Sequence, residues 1–201
     1  YHTYPTPGGS GGIYATFTGG FNITLEGGYT AGCQSRVVDP DNTIIDGTNG
    51  GRPLSIQNNE GGNITVDGLT LRNATIDGDG AGLYLRAYQP LAGPERAGDI
   101  TVSNCKVLSN TINDALAGGA NGAGIFAESA SHVEGGIAGS ITIINNTIQN
   151  NTQYDTERLA RSGAGVYASS YAWQGLAGSI SIEGNTFHGN IGLFGAGAFI
   201  M

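Results

Sequence analysis

Five aromatic residues recur in one local setting, and rings set side by side can stack on each other, on a sugar or on a partner. They are Tyr14 in "GGIYA", Tyr84 in "GAGLYLRA", Phe126 in "GAGIFAES", Tyr167 in "GAGVYASS" and Phe199 in "GAGAFIM". Further aromatic groups follow in the adjoining polar stretches: Tyr88, His132, Tyr171 and Trp173, the only tryptophan. Carboxylates offer a second chemistry. Asp77 and Asp79 in "DGDG", and then Asp39 and Asp41 in "DPDN", are the densest acidic pairs and the candidates for calcium. Neither pair has the full spacing of a calcium loop, and Asp-Gly is also an ordinary turn former.

Glycosidic hydrolysis takes paired carboxylates at fixed separation. The N-x-D, Asp-Asp and G-H-G signatures of a polygalacturonase are all missing, no nucleophile elbow surrounds any serine, and His188 in "FHGN" reads as a surface residue. The residues therefore lean away from an enzyme without deciding the matter, because a lyase site can be assembled from separate segments. Cys33 and Cys105 are compatible with one disulfide in an exported protein or with two thiols, a bridge requiring Cα atoms within about 7 Å. N-x-S/T occurs at Asn22, Asn63, Asn73, Asn145 and Asn150, of which only exposed corner positions would suit a glycan.

The elements that must position these groups come from an internal repeat. "NITVDGLTLRN", "DITVSNCKVLSN", "SITIINNTIQNN" and "SISIEGNTFHGN" echo an earlier "NITLEGGY". Their leading isoleucines, Ile23, Ile64, Ile100, Ile141 and Ile180, lie 41, 36, 41 and 39 residues apart. Alternating β-branched residues imply strands, and Asn or Gly at the interruptions implies turns with left-handed backbone. Each repeat supplies three short strands, none of which buries its apolar face alone. Stacked at about 4.8 Å per layer, the repeats share one core. The sequence thus predicts an all-β, right-handed parallel β-helix over residues 11–201, about five coils and the start of a sixth, after a flexible segment at 1–10. A propeller blade also takes about 40 residues, but the hairpin turn signals it needs are lacking.

Inward columns follow from the alternation: Leu83, Ile125, Val166 and Ala198; then Val102, Ile143 and Ile182; then Val107, Ile148 and Phe187. Asn110, Asn151 and Asn190 recur at one corner, where amides can form a ladder. The same alternation turns the aromatics outward. Were Tyr84 and Phe126 inside, Arg86 and Glu128 two residues on would be inside too, at a cost of several kcal/mol for each unpaired charge. Arg86 and Glu128 instead suit a surface ion pair between coils, and Arg158 and Arg161 suit another with Asp155 and Glu157. The stripe is then either a satellite core under long loops or a binding or assembly surface, with Tyr88, Tyr171 and Trp173 as loop contacts beside it.

Net charge is −8 with one lysine, Lys106, which argues against nucleic acid as partner. No apolar run is long enough for a transmembrane helix. Tyr1 opens an extended "YHTYPTPGGSGG", and the chain reads as processed or excerpted.

These repeats resemble the right-handed parallel β-helix superfamily of pectate lyases, polygalacturonases and bacterial surface proteins. More narrowly, "GAG" plus an aliphatic, alternating with "TFHGN", "TIQNN" and "KVLSN", is similar to the GGA-aliphatic and F-x-x-N repeats of polymorphic outer-membrane proteins. The likeness covers about residues 62–201, although Gly replaces Ala at the third position and only Phe187 to Asn190 matches F-x-x-N strictly. It implies a secreted or cell-surface adhesin without cofactor. The expected function is a non-catalytic extracellular structural or adhesive β-helix. A polysaccharide lyase or glycoside hydrolase and a carbohydrate-binding module are the alternatives. A solenoid also exposes core and strand edge at each end. With no amphipathic cap, subunits are expected to stack head to tail, residues 195–201 on the next molecule's first coil, unless the chain is part of a longer solenoid.

Overall fold

The computed structural model describes residues 12–48, 51–90, 96–113, 120–154 and 162–201. The segment 1–10 and the ion pairs expected among Asp155, Glu157, Arg158 and Arg161 lie outside those residues. Every strand-to-strand pairing within the described sheets is parallel, and the sheets stack into an all-β parallel β-helix of five coils and the first strand of a sixth.

The first sheet holds Ile13–Phe17, Leu54–Asn59, Leu83–Gln89, Ile125–Ser131, Val166–Ala172 and Ala198–Ile200, in that order. The second holds Ile23–Glu26, Ile64–Asp67, Ile100–Ser103, Ile141–Ile144 and Ile180–Glu183, with the five leading isoleucines in register. The third runs from Ile44–Asp46 through Thr70–Arg72, Lys106–Leu108 and Thr147–Gln149 to Thr186–His188. The three expected columns are all inside: Leu83, Ile125, Val166, Val102, Ile143, Val107 and Ile148 are fully buried. Ala198, Ile182 and Phe187, partly buried, pack on them in the last described coils.

A fourth sheet, not foreseen, joins Thr75–Ile76, Thr111–Ile112 and Thr152–Gln153. Two-residue strands are too short to show a period. Their inward Ile112 packs with Ala74, Ala81, Ala120 and Ala123 in a small second core.

Corner chemistry explains the recurring small and amide residues. Between the second and third sheets Gly68, Asn104, Asn145 and Gly184 all have positive φ, and so do Asn73, Ser109, Asn150 and Gly189 at the next corner. Glycine reaches that region without strain and Asn reaches it more easily than most residues. The residue after each turns inward. At the later corner Asn110, Asn151 and Asn190 form the expected ladder: the Asn151 Oδ1 accepts from the Asn110 backbone N–H at 3.1 Å and from its side-chain Nδ2 at 3.0 Å. Asn190 does the same for Asn151. A second ladder, not anticipated, runs at the earlier corner, where Asn185 Oδ1 accepts from Asn146 N and Nδ2 and Asn146 Oδ1 accepts from Cys105 N.

In "GAG" the first glycine is left-handed, as at Gly122 and Gly163, the alanine is buried, and the second glycine meets the next coil. A Cβ on Gly124 would lie 2.4 Å from the Gly165 carbonyl oxygen.

Cys105 occupies the earlier corner column, buried, with its thiol donating to the Ser103 carbonyl at 3.1 Å. Cys33 is exposed in a separate turn and both are free, so the disulfide reading does not hold here.

Candidate functional site

The outward face of the first sheet gathers most of the aromatic candidates, in two rows that differ in kind. The first row is the stripe. Tyr84, Phe126, Tyr167 and Phe199 are in register on successive strands. Their rings stack at 5.0, 5.2 and 5.9 Å, within 3°, 6° and 8° of parallel. Repeating one residue type on an in-register parallel strand places each ring over the last, the sheet counterpart of a helix i,i+4 pair.

Tyr14 is separated from this stack because its neighbour in register is Ser55. Arg52 fills the gap. Its guanidinium lies 5.1 Å from the Tyr84 ring centroid. Arg52 Nε donates to the Gly80 carbonyl at 2.7 Å and Nη2 to the Asp79 carbonyl at 2.6 Å, while its backbone N–H donates to the Tyr14 hydroxyl at 3.0 Å. One end of the ladder is thus closed by a cation on an aromatic face. Arg52 was missed in the sequence; the only signal was its place, just before a strand, where later coils carry "GAG".

The stripe is sheltered. Phe126 is 5% exposed, and Tyr84, Tyr167 and Phe199 are half-buried. Burial raises the phenol pKa of both Tyr84 and Tyr167. Stacked rings turn their faces to one another, which leaves little face for a ligand.

Asp79 stands beside it. Burial pushes its carboxyl up from the usual range, and Oδ1 accepts from the Asn121 backbone N–H at 2.7 Å. Asp77 is exposed. Among the described residues no group of three His, Cys, Asp or Glu side chains is placed to hold a metal ion.

The second row lies further along the same strands. Tyr88, Ala130 and Tyr171 are in register. His132 lies beyond Ala130, 5.2 Å from Tyr88 with the rings tilted 54° and 5.7 Å from Tyr171 with a tilt of 59°. Arg86 lies over Tyr88 at 4.5 Å and its Nε donates to Glu128 Oε1 at 2.7 Å, the ion pair expected between coils. Tyr171 is 48% exposed and Trp173 43%.

The sequence placed Tyr88 and Tyr171 on loops, whereas both sit on strands that continue to Gln89 and Ala172. Alternation persists there, but its inward members are Ala87, Ser129 and Ser170 rather than β-branched residues, so it escapes a hydropathy pattern. Those serines have a task of their own. Ser129 Oγ donates to the Gly98 carbonyl and accepts from Gly139 N, and Ser170 does likewise between Gly139 and Gly178. They staple the Ala-Gly ends of the connecting segments to the sheet and hold the second row in place.

The described residues contain no helix long and apolar enough to cross a membrane. No protein-family model matches the chain, and comparison with curated proteins and with solved structures returns no match.

Proposed function

We propose that this protein is a non-catalytic structural and adhesive β-helix of the cell exterior, whose subunits stack end to end. The observation that carries the reading is that the two ends of the described solenoid present strands of the same three sheets. One presents the edge strands Ile13–Phe17, Ile23–Glu26 and Ile44–Asp46; the other presents Ala198–Ile200, Ile180–Glu183 and Thr186–His188. Both belong to sheets that pair in register at every interior coil, so each end is a template for the other. Both also expose apolar side chains, with Phe21 at 66%, Ile13 at 47%, Ile191 at 63% and Ile200 at 54%. Among the described residues these strands lie at the edges of their sheets, and edge strands favour association. A contact of one end with the opposite end of a copy is heterologous and extends into a filament unless it closes a ring.

The polar groups support a structural role: corner amides and serines tie coil to coil. The exterior location rests on the likeness of "TFHGN" and its relatives to the repeats of polymorphic outer-membrane adhesins. Sedimentation velocity at micromolar concentration, with electron microscopy of the same sample, tests the assembly. Concentration-dependent rods are expected, and a species that stays monomeric throughout would refute it.

A further inference from the structure

We propose that the second aromatic row binds an extended, uncharged glycan lying along the solenoid axis. The proposal gives the adhesive part of the function above a ligand class and rests on that part alone, not on end-to-end assembly. Three features carry it. The first is ring presentation. The stripe spends its ring faces on one another, whereas the His132 ring is inclined by 54° to Tyr88 and by 59° to Tyr171, so this row does not stack face to face, and Arg86 takes one face of Tyr88. Tyr171 and Trp173 are close to half exposed although both are large apolar rings. The apolar face of a pyranose packs on such a ring, as other flat apolar groups do.

The second is spacing. Tyr88 and Tyr171 occupy register positions two coils apart, with the His132 ring in contact with both. At about 4.8 Å per coil the row spans roughly 10 Å along the axis, enough for consecutive sugar rings rather than a single one. The third is polarity. The row is bordered by hydrogen-bonding groups already fixed in place, with Arg86 held over Tyr88 and bonded to Glu128. Arg86 retains guanidinium N–H donors and Glu128 a second oxygen, which suit sugar hydroxyls. Because that pair neutralises itself and the chain carries a net charge of −8, a polyanion gains no attraction here. A lipid or an amphipathic helix would want a continuous apolar patch, and this row is bordered by the charged Arg86 and Glu128.

Trp173 is the sole tryptophan, and its backbone N–H donates to the carbonyl of Ser131 next to His132, so its emission is the optical probe. The probes are neutral hexasaccharides of β-linked glucose, xylose, mannose and N-acetylglucosamine, with hexagalacturonate for comparison. At least one neutral hexamer should shift Trp173 emission saturably, and Tyr171→Ala should weaken that binding by about tenfold, as loss of one aromatic contact implies. Trp173→Phe should still bind by calorimetry, while Tyr29→Ala in the distant first coil should match the parent protein. No response to any of the four neutral hexamers, tighter binding of hexagalacturonate, or unchanged affinity in Tyr171→Ala would each overturn the proposal. Binding by a protein that sediments as a monomer would support the site while removing end-to-end stacking.

Discussion

Replacing Asn151 by alanine should be among the most damaging changes that leave the apolar columns intact. Asn151 is fully buried at the corner after the third sheet. Its Oδ1 accepts from Asn110 N and Nδ2, and its Nδ2 donates to the Val107 carbonyl at 2.9 Å and to Asn190 Oδ1 at 3.0 Å. Alanine removes all four bonds and leaves the Asn110 N–H and the Val107 carbonyl of the preceding coil without this partner, away from water. At a net 0.5–1.5 kcal/mol per bond the loss is roughly 2–6 kcal/mol, with the upper half favoured because orphaned buried groups cost more than the bond was worth. That is a large share of the ~5–15 kcal/mol that stabilises a typical domain.

Aspartate at the same position separates hydrogen bonding from volume. It keeps an acceptor for Asn110 but, ionised, cannot donate to Val107, and it places a charge in the stack. Asn151→Asp should therefore be worse than Asn151→Ala at neutral pH. Burial would raise its native pKa above the unfolded value of about 3.9. The native state then binds the extra proton, so the variant gains stability as pH falls through that raised pKa and loses it as pH rises. Guanidinium unfolding followed by far-UV circular dichroism measures both variants. An alanine variant within about 1 kcal/mol of the parent, or an aspartate variant more stable than alanine at pH 7, would show that the ladder merely fills space.

Ile143 lies between Val102 and Ile182 and is fully buried, so Ile143→Asp should fail to fold cooperatively, and a soluble, sharply melting protein would contradict the register. Cys33 is exposed while Cys105 is buried with its thiol pushed up to about 11 by desolvation; an aromatic disulfide reagent should titrate one thiol per native chain and two after denaturation, whereas none in the native chain would point to a bridge. Asp46 is held well below the usual carboxylate range, first by the Thr48 hydroxyl and then by Arg72 and Asn73. Its contribution is present above the unfolded pKa near 4 and lost as pH falls below it, by less than about 1 kcal/mol at so open a site, and Asp46→Asn should flatten acid unfolding curves in that window.

What the sequence disclosed, and what it hid, follows from how each column is filled. The second sheet is legible because Ile23, Ile64, Ile100, Ile141 and Ile180 repeat one residue at one position, and a stack of like residues is itself the signal. The side taken by the aromatics was legible for a separate reason: Arg86 and Glu128 share their face, and no arrangement buries those charges cheaply. The earlier corner was hidden because Leu69, Cys105, Asn146 and Asn185 follow equivalent turns with an aliphatic, a thiol and two amides, a sequence with no common hydropathy. Their equivalence becomes visible only when the backbone is traced, since each follows a residue of positive φ and turns inward.

The amide can replace the aliphatic there because the next coil supplies matched groups: Asn146 Nδ2 reaches the Val102 carbonyl at 3.0 Å, and its Oδ1 takes the Cys105 N–H at 2.8 Å. A buried position in this stack is thus specified either by apolar volume or by a carbonyl and an N–H spaced to suit one amide. Only the first leaves a hydropathy trace. The same reasoning accounts for Arg52, which replaces a ring in the aromatic ladder by offering Tyr84 a flat cation and spending its donors on Gly80 and Asp79. A column in a parallel stack conserves the contact it makes, and the residue that makes the contact is free to change.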